Sequence, residues 1–163
     1  LALSLAFRRR EVEKSYVAVC YGHLHRREGV IEGAIDRHPR HRQQMAVVAD
    51  GRPARTLYTV AEELFGTSVV DCRPVTGRTH QIRVHLAHIG HACVGDPLYA
   101  GRQWRNLGSP QQQTACRSFP RQALHARRIA FTHPASGQRV EFEAPVPRDM
   151  DELIETLRAS PGH

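Results

Sequence analysis

Between Gly77 and His85 the chain reads Gly-Arg-Thr-His-Gln-Ile-Arg-Val-His, its densest run of side chains able to do chemistry. Arg78 and Arg83 stand five apart near an expected helix start, where unpaired amide hydrogens already favour anions. Such a pair can bracket a phosphate or hold a carboxylate, and it can equally be the basic face of a surface helix. Asp96, in Gly95-Asp96-Pro97-Leu98-Tyr99, is the single acid in residues 73–139, against ten Arg. A lone carboxylate there reads as the buried partner of an Arg, with a catalytic acid as the alternative. The histidines at 80, 85, 88 and 91 raise the question of a metal. Zinc favours ligands on one helical face at i, i+4 with a carboxylate or thiolate beside them. His85 and His88 are three apart, and no acid lies between Arg73 and Cys93, so no metal is expected. There is no dinucleotide glycine fingerprint, P-loop or G-x-S-x-G turn, so no cofactor is expected either.

The charge of the whole chain points to a polyanionic partner. Lys+Arg is 23 against 16 Asp+Glu, a formal net charge of +7 in 163 residues. Residues 140–158 reverse the sign, with two Arg and six acids. A block as basic as 73–139 suits RNA or DNA, the bland alternative being a solvated basic surface. Lys14 is the only lysine. Arg forks match phosphate oxygens and stack on bases, which favours RNA, although GC-rich coding would also favour Arg. Neutral histidines then fit as hydrogen-bonding groups or as lining for an RNA surface. Cys20, Cys72, Cys93 and Cys116 show no metal-ligand spacing and no dense disulfide framework, so a reducing, cytoplasmic setting is expected. No apolar run reaches membrane length, and residues 1–7 lack the flanks of a signal peptide.

The elements that must position these residues are those of one α+β domain with a largely antiparallel sheet. Residues 16–20 read as a buried strand, 23–42 as a basic, turn-rich stretch, and 45–48 as a short strand before the Ala49-Asp50-Gly51 turn. Residues 56–60 and 68–75 read as antiparallel partners joined around Gly66. Residues 78–89 read as a helix with Ile82, Leu86 and Ile89 on one face and Gly90 closing it. Residues 102–120 are polar, with three consecutive Gln, and are expected to be a long exposed loop. Val140, Phe142 and Ala144 alternate with Glu141 and Glu143 as in a half-buried strand. Met150, Leu153, Ile154 and Leu157 form a helical stripe, with Asp149 and Glu152 as a capping-box-like start. Leu1 and Leu5 at helical spacing, with no cap ahead of them, read as the last turns of a helix whose beginning is missing.

Several of these segments together resemble one family. Val75-Thr76-Gly77-Arg78-Thr79-His80-Gln81-Ile82-Arg83-Val84-His85, followed by Gly95-Asp96-Pro97-Leu98-Tyr99, is similar to the signature of RluA-type pseudouridine synthases. Lys14-Ser15-Tyr16-Val17-Ala18 resembles the family's Lys-x-Tyr-x-Ala strand. Ala123-Leu124-His125-Ala126, Thr132-His133-Pro134 and Glu143-Ala144-Pro145-Val146-Pro147 resemble its closing elements, in order. The resemblance runs from about Phe7 to Arg158. Arg37-His38-Pro39, Met45-Ala46-Val47 and the ending from Pro147 to Ile154 look most like the RluD-type branch, which acts on large-subunit ribosomal RNA.

The resemblance implies the pseudouridine synthase fold, incomplete at its amino end, and isomerisation of uridine to pseudouridine in RNA without cofactor, metal or membrane. Tyr16 corresponds to the tyrosine that stacks on the uracil, and Arg83 to the arginine that pairs with the essential Asp. Ile82 and Leu124 would be apolar pocket wall, and Arg78 a further substrate-binding residue. The family's His-Arg-Leu-Asp motif, which carries that Asp, should lie a few tens of residues before Lys14 and is not in this sequence. Residues 1–158 are therefore expected to be the carboxy-terminal part of a catalytic domain and 159–163 a tail. The chain is then a fragment of a longer enzyme, or the non-catalytic, RNA-binding remnant of a truncated gene. A small nucleic-acid-binding module unrelated to enzymes is the third reading, without a helix-turn-helix, zinc or RNA-recognition signature to support it.

Overall fold

A computed structural model of the chain describes residues 3–5 and 11–159. The fold is built around β1 (Glu13–Tyr21), whose Tyr-Val-Ala-Val-Cys-Tyr run is apolar at every position. Such a run belongs in a strand covered on both faces. Val17, Val19 and Tyr21 enter one core and Ala18 and Cys20 the other, all at or below 5% exposure.

The other strands are β2 (Glu28–Glu32), β3 (Ile35–Arg37), β4 (Met45–Val47), β5 (Arg55–Leu64), β6 (Thr67–Pro74), β7 (Leu124–Thr132) and β8 (Arg139–Glu143). Six of them form one sheet in the order β2-β5-β6-β1-β7-β8, every neighbouring pair antiparallel, and β3 pairs with β4 in a separate hairpin. The α+β class and the antiparallel sheet are as the sequence implies. The turn-rich reading of residues 23–42 needs correction, since it contains β2 and β3. Ile31 and Ile35 bury one side chain each there, too sparse a pattern to show as periodicity.

Helices cover both faces of the sheet. On the first lies α3 (Arg148–Arg158), whose Met150, Leu153, Ile154 and Leu157 are buried against Val17, Val19, Leu64 and Val69. Each such side chain contributes about 1.5–3 kcal/mol. The expected capping box is absent: Pro147 is the N-cap, and Asp149 pairs with Arg121 instead. Beside it sits α2 (Pro110–Ser118), in the segment expected to be a loop. Its start carries a helix signal, Ser109 accepting from the Gln112 amide ahead of Pro110 in the first turn. Its three glutamines hid the signal, because the helix needs only Ala115 and Cys116 to seat on an existing core. Phe142 in β8 is 58% exposed and stacks on Phe131, so that strand's apolar face is not the half-buried one expected.

On the second face lies α1 (Gln81–His88), with Ile82 and Leu86 packed against Ala18, Cys20, Val70 and Cys72. The helix starts at Gln81 rather than Arg78 because His80 is left-handed, with φ 55°. Ile89, expected on the buried face, is 37% exposed. After Gly90 the chain is stitched to β1: Tyr21 N donates to Ala92 O at 3.0 Å, and Val94 N to Val19 O at 2.9 Å. The next turn places Gly95, with φ +74°, against the Arg121 carbonyl, only 2.1 Å from where a Cβ would stand. Residues 3–5 are helical, and the rest of the expected amino-terminal helix lies outside the described residues.

Candidate active site

Where β1, β6, β7 and the start of α1 converge there is a cavity of about 200 Å³. Tyr16, Arg78, Ile82, Arg83 and Leu124, five residues drawn from three separate stretches of sequence, all line it, together with Lys14 and His80. Tyr16 reaches it through a β-bulge. The register of β1 against β7 shifts between Ser15 and Tyr16, a device that re-aims a side chain beside a site. Burial pushes the Tyr16 phenol up, so it stays protonated at neutral pH.

Arg83 is 8% exposed. Its Nε donates to Asp96 Oδ2 at 2.7 Å and its Nη2 to Oδ1 at 2.9 Å, a bidentate fork. The Leu98 and Tyr99 amides also donate to Asp96 Oδ1, at 3.0 and 3.2 Å. Burial alone would raise this carboxyl, but the Arg83 hydrogen bond and those amides outweigh it and hold it below the usual carboxylate range. Asp96 is thus the buried partner of an Arg, and it is not among the residues lining the cavity, none of which carries a carboxylate. The Arg83 guanidinium also lies 5.1 Å from the Tyr99 ring centroid. Its Nη1 has no hydrogen bond among the described residues.

The loop that presents Arg78 is held by a buried network which sequence reading missed. Gln81 Oε1 accepts from Thr76 Oγ1 at 2.6 Å and from the Arg78 amide at 3.0 Å. Its Nε2 donates to Arg55 O and Thr56 Oγ1. His85 Nε2 faces the Gly33 carbonyl at 2.9 Å and must carry the proton, so Nδ1 accepts from Thr56 Oγ1, also at 2.9 Å. These bonds together fix the geometry of residues 76–81. The only available signal was a Gln in the first turn of a helix; Thr56 carried none.

Burial, the largest influence, lowers the His85 pKa. Below roughly 6.5, histidine's usual value, the unfolded chain takes up a proton that the folded chain refuses. Stability is therefore expected to be full above that pH and to be lost as pH falls through the folded value. Urea unfolding from pH 7.5 to 5.5 checks it: His85→Leu should be less stable throughout but flatter with pH. Parallel profiles for the two proteins would remove His85 as the cause.

His80 is the one non-glycine residue with positive φ among the described residues. Met45 N donates to the Tyr99 hydroxyl at 2.9 Å, and the same hydroxyl is hydrogen-bonded to His80 Nδ1 at 2.8 Å. Burial, then the Arg83 charge, lower the His80 pKa and keep the ring neutral. No group of three or more His, Cys, Asp or Glu among the described residues is placed to hold a metal, and no helix among them is long and apolar enough to cross a membrane. The four cysteines are buried and unbridged, with burial pushing the Cys20 and Cys116 thiols up to about 12.

The chain is similar to known proteins in both sequence and fold. The family profile described as RNA pseudouridylate synthase matches residues 1–88. Ribosomal large subunit pseudouridine synthase D of Nitrosomonas europaea is 44% identical over 159 residues, covering 98% of this chain and 45% of that protein. The protein of the same name from Escherichia coli K12 is 45% identical over 155 residues, 94% of this chain and 47% of that one. The chain spans about half the length of the curated relatives it matches. Human RNA pseudouridylate synthase domain containing 1 superposes with a TM-score of 0.72 at 28% identity, over 98% of this chain and 71% of its own. The human domain containing 4 protein gives 0.73 at 23% identity and covers 68% of its own chain, a likeness of fold alone. By sequence and by fold, the chain belongs to the RNA pseudouridylate synthase family, in its RluA-type, RluD-like branch.

Proposed function

We propose that residues 1–158 are the carboxy-terminal part of a catalytic domain that isomerises uridine to pseudouridine in RNA, with 159–163 a tail. The observation that carries this is the convergence of Tyr16, Arg78, Ile82, Arg83 and Leu124 on one cavity. The substrate we assign is large-subunit ribosomal RNA, which the relatives' names specify for them. Such an enzyme works in the cytoplasm.

The target base leaves its stack to enter the cavity. Tyr16 stacks on it, Ile82 and Leu124 close the apolar side, and Arg78 meets the backbone phosphate. The open Nη1 of Arg83 receives the essential carboxylate, keeping it ionised and oriented. None of the residues lining the cavity carries a carboxylate, and Asp96 is committed to the opposite edge of the same guanidinium, so neither supplies that acid. The reaction needs no cofactor or metal.

Several arginines of the basic block already meet acids: Arg121 with Asp149, Arg127 with Asp71, and Arg128 with Glu141. Exposed pairs of this kind contribute little to stability and can be exchanged for phosphate. The chain alone is expected to bind a structured RNA weakly, losing about tenfold or more in affinity between 50 and 200 mM salt through counterion release. It is expected to form no pseudouridine. A salt-independent affinity in a fluorescence titration would remove the RNA reading, and turnover by a homogeneous preparation would show that a carboxylate within the chain serves.

A further inference from the structure

A second cavity, of about 230 Å³, lies across the segment Gly77-Arg78-Thr79-His80 from the first. Gly77, Arg78 and His80 line both, so one stretch of backbone is the wall between them. The β3–β4 hairpin supplies Ile35, Arg37 and Met45 to the second cavity, and Arg52 joins them. Nothing in the proposed chemistry uses this space. We infer that it holds the nucleotide next to the target uridine in the RNA strand, an inference that rests on the function proposed above.

The lining suits a nucleotide and fits a small apolar ligand poorly. Arg37, Arg52 and Arg78 bring three guanidiniums against one carboxylate, Asp36, so the cavity is positive. Asp36 Oδ1 already accepts the Arg37 amide at 2.7 Å. Arg78 is steadied at the shared wall by its Nε, which donates to Pro53 O at 3.0 Å. A strand leaving the first cavity meets this guanidinium at the point where its connecting phosphate must cross. The half-buried Met45 gives a base face the apolar, adaptable contact it prefers, and Ile35, only 1% exposed, lines the same wall.

His80 supplies a second kind of observation. Its left-handed backbone is strained for a residue with a side chain, and such strain persists where the surroundings enforce it and gathers at functional sites. Tyr99, itself held by Met45 of the hairpin, fixes the imidazole through Nδ1, and Nε2 has no hydrogen-bond partner among the described residues. The hairpin that forms the far wall of the second cavity therefore also sets the ring in the shared wall. A neutral imidazole held between two cavities with Nε2 open can exchange a hydrogen bond with a polar group of a nucleotide.

The test uses this chain with two probes, uridine 5′-monophosphate and a single-stranded trinucleotide with uridine at its centre. Neither needs a base to be flipped from a duplex. The trinucleotide is expected to bind about tenfold more tightly, from one or two added charge-assisted contacts. Nuclear magnetic resonance signals of Ile35 and Met45 should shift with the trinucleotide and stay still with the monophosphate. In the double variant Arg37→Ala, Arg52→Ala, both exposed positions, the added affinity should vanish and the salt slope for the trinucleotide should fall by roughly one. Monophosphate binding should be unchanged, which also shows that the variant is folded. If the monophosphate shifts Tyr16 and Leu124 but the double variant keeps the trinucleotide's advantage, the inference fails and the proposed function stands. If neither probe perturbs Tyr16 or Leu124, the proposed function fails and this inference with it.

Discussion

Replacing Arg83 by Ala is expected to cost about 3–5 kcal/mol of folding stability, because it leaves a fully buried carboxylate without its charge partner. The side chains of Arg83 and Asp96 are 9% and 0% exposed, so water cannot take over the lost interaction. Asp96→Ala should cost a similar amount from the other side. Arg83→Lys keeps the charge but cannot make the two-pronged contact, and should fall between the variants and the native chain. In a full-length enzyme of the kind proposed above, Arg83→Ala should also collapse the single-turnover rate at saturating RNA, with affinity only modestly reduced. Arg78→Ala should weaken binding and cost less stability than Arg83→Ala, since its hydrogen bond to Pro53 O is exposed rather than buried. Urea unfolding and single-turnover rates, measured side by side, decide this. Stability of Arg83→Ala within 1 kcal/mol of native would show that the pair is not the anchor claimed here. Loss of chemistry in Arg78→Ala alone would exchange the two roles.

Gly95→Ala is expected to be as damaging, for a different reason. The new Cβ would stand 2.1 Å from the Arg121 carbonyl oxygen, a backbone atom that cannot rotate away, on a residue whose φ is +74°. Gly101 is the internal control: its φ is +56°, but nothing lies within 4 Å of its Cβ position. Gly101→Ala should cost only the left-handed penalty of about 1–2 kcal/mol, whereas Gly95→Ala should exceed about 3 kcal/mol. Because Gly95 precedes Asp96, any backbone shift that relieves the clash also moves the carboxylate that holds Arg83. Equal melting temperatures for the two variants would contradict the packing described here.

Much of the fold could be read from the residues, and the five candidate site residues line one cavity. The last helix was legible because its apolar spacing is complete and all four stripe residues are buried. The sheet was legible where both neighbours in a strand pair carry strong strand formers, as in β5 and β6. The α2 segment was not, because a helix that docks on a finished core needs few apolar residues of its own. Tyr16, Ile82, Arg83 and Leu124 came from the resemblance to the family, and Arg78 from its spacing to Arg83; the structure lines one cavity with all five. Thr56, Thr76 and the roles of Gln81 and His85 were not legible, since their work is to bond one another across about thirty residues of sequence. The left-handed turn at His80, which moved the helix start to Gln81, is set by tertiary contacts and leaves no local mark.

The position of β1 in the sheet has a consequence for how the chain reaches this state. Its Tyr16–Tyr21 stretch has no charge and no proline and is rich in strand formers, the composition of segments that self-associate when exposed. Its two partners arrive late. β6 begins at Thr67 and β7 at Leu124, the latter about a hundred residues further along the chain. At synthesis rates of roughly 5–20 residues per second, β1 spends roughly 5–20 s after emergence without its second neighbour. The β5–β6 hairpin, closed at Gly66, is local and fast, so it takes up one edge of β1 first. The other edge stays open to any passing strand until β7 is made. The strand that carries Tyr16 into the cavity is thus also the chain's main aggregation hazard, and interruptions of synthesis between β6 and β7 should be the ones that yield insoluble product.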